Sequence, residues 1–156
     1  MSDGLLTNHL DEDLAGRLRT SGLRVTASRM AVLEAVTHSP HSAADTIAVS
    51  ARRRLGSLST QAVYNNLYAL GRAGLLRRIE PAGGPARYEA RVGDNHHHIV
   101  CRSCATTCDV DCAVGIAPCL EASDTHGFLV DEAELTFWGI CPTCQPPPGH
   151  HERTRP

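Results

Sequence analysis

Two cysteine pairs limit what this chain can fold into more than any other feature. Cys101 and Cys104 are two residues apart, and after 36 intervening residues Cys141 and Cys144 repeat that spacing. The spacing lets both thiolates of one turn bind a single ion, and two such turns complete a tetrahedral sulfur shell at about 2.3 Å. The chain between the pairs must therefore return to its starting point, so that an ion clips two strands distant in sequence. A closed four-ligand shell has no open position, which points to a structural ion. Zinc suits it, and iron in a rubredoxin-like site shares the geometry. Ordinary buried cysteines are the plainer alternative.

The seven cysteines are an odd number, so they cannot all pair within one chain. The N-terminus lacks a basic segment followed by an apolar one, and no apolar run approaches the roughly 20 residues of a membrane span. A cytoplasmic protein with reduced thiols and no membrane partner is expected. The formal net charge of −2 hides a division. Residues 14–93 carry 12 Arg against 4 acids, whereas residues 94–145 carry 1 Arg against 8 acids. A polyanion-binding part joined to a metal-attracting part would produce this asymmetry, as would chance between two solvated surfaces.

Periodicity in the basic part is helical. Met30, Leu33 and Val36 follow a three-to-four spacing behind a Thr26 cap, and Ser39-Pro40 ends the run. Ser42 and Asp45 form a capping box ahead of Ile47, Ala51 and Leu55. Ser59 caps a third segment with Val63, Leu67 and Leu70 on one face, closed by Gly71 or Gly74. The segment LLRRIE, the turn PAGGP and ARYEARV read as a β-hairpin. Three helices followed by a hairpin predict a winged helix-turn-helix. Beyond Gly93-Asp94, HHIVCRSC, TTCDVDC and FLVDEAELTFWGIC read as strands and CLEASDTHG as a helix. The expected fold class is α+β: a winged-helix domain over residues 1–92, a small α/β dimerisation domain over 93–145 and a disordered tail over 146–156.

The third helix has the character of a recognition helix. Gln61, Tyr64, Asn65 and Tyr68 share the face opposite its apolar stripe. Tyr64 offers a flat ring for thymine methyls, and the amides of Gln61 and Asn65 can pair with adenine edges. Arg24, Arg29, Arg77, Arg78 and Arg87 are candidate phosphate contacts. The histidine run needs a site apart from the thiolates. On a strand His96 and His98 share a face, with Asp109 on the next strand. With Glu89 and His41 these make a nitrogen/oxygen donor set suited to Fe(II) or Mn(II), unless the run is only a solvated surface.

With these residues in place, the sequence resembles the ferric uptake regulator (Fur) family over about residues 14–145. LRVTASR, HSAADTI, STQAVYNNLYALGRAGLLR, ARYE, DNHHHIVCRSC and WGICPTC look like family motifs in family order. The stretch VYNNL and Asp at position 109 place it nearest the peroxide-responsive branch, which includes catalase-regulating repressors. The resemblance implies a homodimeric, metal-dependent repressor that binds a pseudo-palindromic operator in double-stranded DNA. It implies structural Zn(2+) at Cys101, Cys104, Cys141 and Cys144. It also implies regulatory Fe(2+) or Mn(2+) at His41, Glu89, His96, His98 and Asp109. This chain departs from the family in Glu89, where the branch has Asp, and in Ala105, where glycine usually follows the first cysteine pair. A second His/acid site is incomplete here, with Asn95, His97, Ile116 and Ala133 in its places.

The expected function is a DNA-binding repressor, not an enzyme, that senses hydrogen peroxide through Fe(II)-catalysed oxidation of His41 or His96. An iron- or zinc-level sensor of the same family is the nearest alternative. A thiol sensor using Cys108, Cys112 or Cys119 is another.

Overall fold

The computed structural model describes residues 3–81, 84–93, 96–111, 124–129 and 135–146, with side chains from Leu10 onward. Two compact units divide the chain between residues 94 and 95. The fold is α+β, with helices in the first unit and a small sheet in each.

The first unit begins with a helix the apolar periodicity did not reveal, α1 (Asp3–Thr20). Its Leu14 and Leu18 are fully buried, four residues apart and hence on one face. Helix α2 (Ala27–His38) starts as expected, with Thr26 Oγ1 accepting from the Arg29 amide at 3.3 Å. The two-residue strand β1 (Ser42–Ala43) and α3 (Ala44–Leu55) follow. Here the expected capping box is not formed. Ser42 is drawn into the sheet opposite Tyr88, and Ala43 occupies the cap position without a side-chain bond. Strand pairing has taken the residue that local preference would give to the helix.

Helix α4 (Thr60–Arg72) starts at Ser59, whose Oγ accepts from the Ala62 amide at 3.1 Å. It runs through Gly71, and the chain reverses at Gly74, whose φ of +69° suits a residue without a Cβ. Strands β2 (Arg77–Ile79) and β3 (Arg87–Glu89) form the antiparallel wing. With β1 they make a sheet in the order β1-β3-β2, so β3 is central. Leu14, Leu18, Leu33, Val36, Ile47, Val63, Leu67 and Leu70 fill one core among the four helices.

The second unit holds β4 (His97–Cys101), β5 (Thr107–Val110) and β6 (Thr136–Gly139), in the order β5-β4-β6. β4 pairs antiparallel with β5 and parallel with β6, and Cys101 lies opposite Gly139. Residues 119–123 of the helix expected over CLEASDTHG, residues 130–134 of the strand expected over FLVDEAELTFWGIC and the tail from residue 147 lie outside the described residues. Of the rest, 124–127 end in a turn without helix, and 128–129 belong to no strand.

Burying a leucine side chain contributes roughly 1.5–3 kcal/mol, and removing one from a packed core costs roughly 2–5 kcal/mol. Leu67 is 2% exposed on α4. Leu67→Ala is expected to lower the unfolding free energy of the first unit by roughly 3–5 kcal/mol, seen as a lower urea midpoint at unchanged slope by far-UV circular dichroism.

Candidate metal centres and nucleic-acid interface

The four paired cysteines meet in one corner of the second unit. Their sulfurs all lie within 4.8 Å of one another. Ligands 2.3 Å from a tetrahedral centre stand about 3.8 Å apart, and Cys104 Sγ to Cys141 Sγ is 3.7 Å. The register of β4 against β6 produces this meeting, because both turns leave neighbouring strand ends on the same side. Ala105, in the usual glycine position, adopts φ 59° while its amide donates to Cys101 O at 2.9 Å. The left-handed conformation costs an L-residue about 1–2 kcal/mol, so the turn is kept at the expense of strain.

The thiols are not equivalent. Main-chain amides hold Cys101 down to about 6; the largest influence is the Cys141 N–H, 3.3 Å from its sulfur. Cys104 is lowered, first by the Thr106 hydroxyl at 3.1 Å. The Ser103 hydroxyl pulls Cys144 down, but the crowding sulfurs of Cys141 and Cys104 outweigh it and push Cys144 up to about 11. Arg102, between the first two cysteines, lies over the Trp138 ring at 5.3 Å from its centroid. Its amide donates to Gly139 O at 2.8 Å, so the pair staples β4 to β6 beside the sulfurs.

The histidines and carboxylates expected to hold the second ion fall in two groups, one in each unit. In the first unit, His41 Nε2 and Glu89 Oε2 are 3.0 Å apart, and the side chains are 7% and 0% exposed. A carboxylate only accepts, so the ring N–H donates. In the second unit His98 and Asp109 face each other across β4 and β5. Asp109 Oδ1 is 3.7 Å from His98 Nε2 and 3.9 Å from His96 Nε2. Those distances exceed a hydrogen bond; His98 and Asp109 are among the residues whose donor atoms gather within 4.8 Å as a metal site requires, and His96 is not. The two imidazoles stand edge to face, 5.0 Å apart. Cys108 is exposed on β5; Cys112 and Cys119 lie outside the described residues.

On α4, Gln61, Tyr64, Asn65 and Tyr68 are all exposed, while Val63, Leu67 and Leu70 face the core. Gln61 Nε2 donates to Asn65 Oδ1 at 2.9 Å, which orients both amides along the helix. Arg24 is exposed in the turn before α2, and Arg77 is half-buried on β2. Arg29 is turned inward: its Nη1 donates to Arg24 O at 2.7 Å and its Nε is buried without a hydrogen-bond partner among the described residues. Arg29 therefore shapes the loop that presents Arg24.

Arg52 and Arg54 have roles that their sequence does not announce. Arg52 donates to Leu58 O at 2.7 Å and to Thr60 Oγ1 at 3.1 Å, bracing the turn into α4. Arg54 is paired with Asp11 at 2.7 Å and with Glu34, tying α3 to α1 and α2. A run of three arginines gives no local sign of these partners.

An exposed amide-and-tyrosine face and a set of ion-binding donors thus use different residues of one chain, the division of labour in a metal-responsive transcriptional regulator. The family model of the ferric uptake regulator family matches residues 20–138, and the chain belongs to that family. It is 61% identical to the transcriptional regulator FurA of Mycobacterium tuberculosis over 132 residues, covering 85% of this chain and 90% of that one. It is 52% identical to ferric uptake regulation protein 1 of Mycolicibacterium fortuitum over 145 residues, covering 93% and 86%. The peroxide operon regulator of Bacillus subtilis is 28% identical over 139 residues, covering 85% and 92%. The fold resembles that of the Helicobacter pylori ferric uptake regulator Fur, with a TM-score of 0.63 at 19% identity, over 89% of this chain and 93% of that one. Placement in the peroxide-responsive branch, expected from VYNNL and Asp109, thus rests on the more distant likeness, and the greater identity lies with FurA and ferric uptake regulation proteins.

Metal binding to thiols displaces their protons. Cys144, at about 11, carries a proton that must be displaced throughout the working range, whereas Cys101, at about 6, carries one only in acid. Zinc added to metal-free protein is therefore expected to release more protons per ion at pH 5.5 than at pH 7.5, with affinity falling more steeply below about pH 6, as followed with a pH indicator and a competing chelator.

Proposed function

We propose that this protein is an iron-responsive, DNA-binding transcriptional repressor that acts as a homodimer and is not an enzyme. Zn(2+) at Cys101, Cys104, Cys141 and Cys144 is its structural ion. Fe(2+) or Mn(2+) is its regulatory ion, with His41, Glu89, His96, His98 and Asp109 as ligands. The observation that carries this reading is the separation of donor types. Soft sulfurs are gathered at tetrahedral spacing, while imidazoles and carboxylates are grouped apart from them. Thiolate shells select zinc, and mixed nitrogen/oxygen sets select harder divalent ions. The name of the ferric uptake regulation protein at 52% identity supports iron as the regulated quantity.

A bound divalent cation supplies the positive charge that buried carboxylates such as Glu89 otherwise draw from a protonated partner. The chain's own part is to hold its imidazole and carboxylate donors in place, and to present Gln61, Tyr64 and Asn65 to base edges in a major groove. Two copies read a pseudo-palindrome with half-sites about one helical turn apart. Differential affinity of the ion for the DNA-competent state sets the switch, and about 5.5 kcal/mol carries a population from 1:99 to 99:1.

A second reading adds peroxide sensing, in which the Fe(II) form loses the operator after oxidation of His41 or His96. It is favoured by the 28% likeness to the peroxide operon regulator and by the burial of both imidazoles among carboxylates. One titration tests both readings: operator binding by the zinc-loaded protein with Fe(II), Mn(II) or added Zn(II), before and after peroxide. Iron sensing predicts Fe(II)- and Mn(II)-dependent binding reversed by chelator. Release by peroxide of the Fe(II) form alone, with an oxygen atom gained on a histidine peptide, establishes the second reading. Metal-independent binding rejects both.

Arginine contacts to phosphate release counterions, so log affinity falls with log salt by about 0.9 per phosphate neutralised. Arg24→Gln is expected to reduce that slope and weaken every sequence equally, whereas Tyr64→Ala relaxes operator preference at unchanged slope. Fluorescence anisotropy across a salt series on operator and random duplexes separates the two.

A further inference from the structure

His41 combines two features that are rarely found together. It is buried beside a carboxylate, and its backbone φ is +60°, a left-handed conformation in a residue with a full side chain. Such a conformation persists where the surroundings over-determine it. Here a single strand does so. The His41 amide donates to Tyr88 O at 2.9 Å, the Arg87 Nη1 donates to His41 O at 2.8 Å, and the imidazole meets Glu89 at 3.0 Å. Three consecutive residues of β3 thus hold one residue by its amide, its carbonyl and its ring.

The alternation of a strand explains how this is possible. Arg87 and Glu89 point to one face of β3, and Tyr88 points to the other, where its side chain joins the core. β1 begins immediately after His41 and pairs Ser42 with Tyr88 and Ala43 with Arg87. β2 closes the other side of β3, so the gripping strand is held on both edges. Arg87 also departs from what its charge suggested. Its Nε is buried without a hydrogen-bond partner among the described residues, and its Nη1 is committed to a main-chain carbonyl. A guanidinium laid out this way is oriented to the fold and not to a phosphate.

We propose that Arg87 is a positioning residue for the regulatory ion: by holding the His41 carbonyl it fixes the left-handed turn and presets the imidazole beside Glu89. This rests on His41 and Glu89 being ligands. Without Arg87 the His41 backbone loses one of its two main-chain anchors, so the left-handed turn is less firmly fixed and the ring less well preset when an ion binds. Residues that orient a metal ligand commonly change affinity tenfold to a hundredfold when removed.

The test uses the full-length, zinc-loaded chain and Co(II) as a spectroscopic probe of the nitrogen/oxygen site. Arg87→Gln, Arg87→Lys and Glu89→Ala are compared with the parent for Co(II) affinity, visible d–d spectrum, zinc content, thermal midpoint and salt slope of operator binding. The proposal expects Arg87→Gln to weaken Co(II) at least tenfold and alter its spectrum. Zinc content, and the salt slope of ion-saturated protein, should not change. Arg87→Lys, which keeps a cationic donor, should recover part of the affinity. Unchanged Co(II) affinity in Arg87→Gln overturns it, and a reduced salt slope in that variant would show Arg87 to be a phosphate contact instead. If Arg87→Gln does not fold, parental affinity and spectrum in Arg87→Lys overturn it. Should Glu89→Ala also leave Co(II) affinity unchanged, the ligand assignment itself fails and the proposal with it; a loss in Glu89→Ala alone rejects only the role of Arg87.

Discussion

The second unit depends on the parallel pairing of β4 with β6. Among its described residues the buried apolar side chains are Val100 and Cys101, while Ile99, Leu135, Phe137 and Ile140 remain substantially exposed. Two buried apolar side chains contribute little stability to the described part of the sheet, and small units commonly gain support from a metal, a disulfide or another chain. Pairing Cys101 with Gly139 sets both cysteine turns at adjacent strand ends, and the sulfur spacing follows from that register. A slip of one residue would reverse the faces of β6 and separate the turns.

The first unit solves a different problem. Its helices bury one continuous apolar core, which holds α4 by Val63, Leu67 and Leu70 and leaves the opposite side of that helix to solvent. Rigidity of the exposed face comes from below, through packing, and from its N-terminal end, where Ser59 caps the helix and Arg52 braces the preceding turn. The wing sheet has a second duty. Its central strand carries Tyr88 into the core and Glu89 to the ring of His41, so packing and ligand placement share one backbone. Burying Glu89 completely would be costly for a lone carboxylate. The imidazole in hydrogen-bond contact makes the burial tolerable, and a divalent cation would do so more strongly.

Much of this was legible in the sequence where the relevant physics is local. Thr26 and Ser59 cap helices as their position before an apolar-periodic run implies, and the cysteine spacing announces a sulfur shell because two residues form one turn. Legibility was lost where a distant partner competes. Ser42 has the sequence of a helix cap, yet Tyr88, 46 positions away, claims its backbone for a strand. The arginines show the same limit more plainly. Arg24, Arg29, Arg54 and Arg87 are chemically identical side chains; the sequence offers Arg24, Arg29 and Arg87 to phosphate and says nothing of Arg54. Arg29 and Arg87 are occupied by main-chain carbonyls, and Arg54 is held by Asp11 and Glu34.

The amino-acid order alone settled the kinds of chemistry available: a thiolate shell, a separate imidazole and carboxylate set, a basic half with an amide-and-tyrosine helix face, and the helical and extended periods that carry them. These follow from spacing and side-chain type, which act over a few residues. Folding settled which of those groups meet. His41 reaches Glu89, 48 positions on, only because β3 pairs with β1, and the two cysteine turns reach each other only because β6 lies parallel to β4. Closing a long loop costs nearly the same entropy whichever residues are brought together. The choice among contacts therefore belongs to strand register and core packing, which no short stretch of sequence contains.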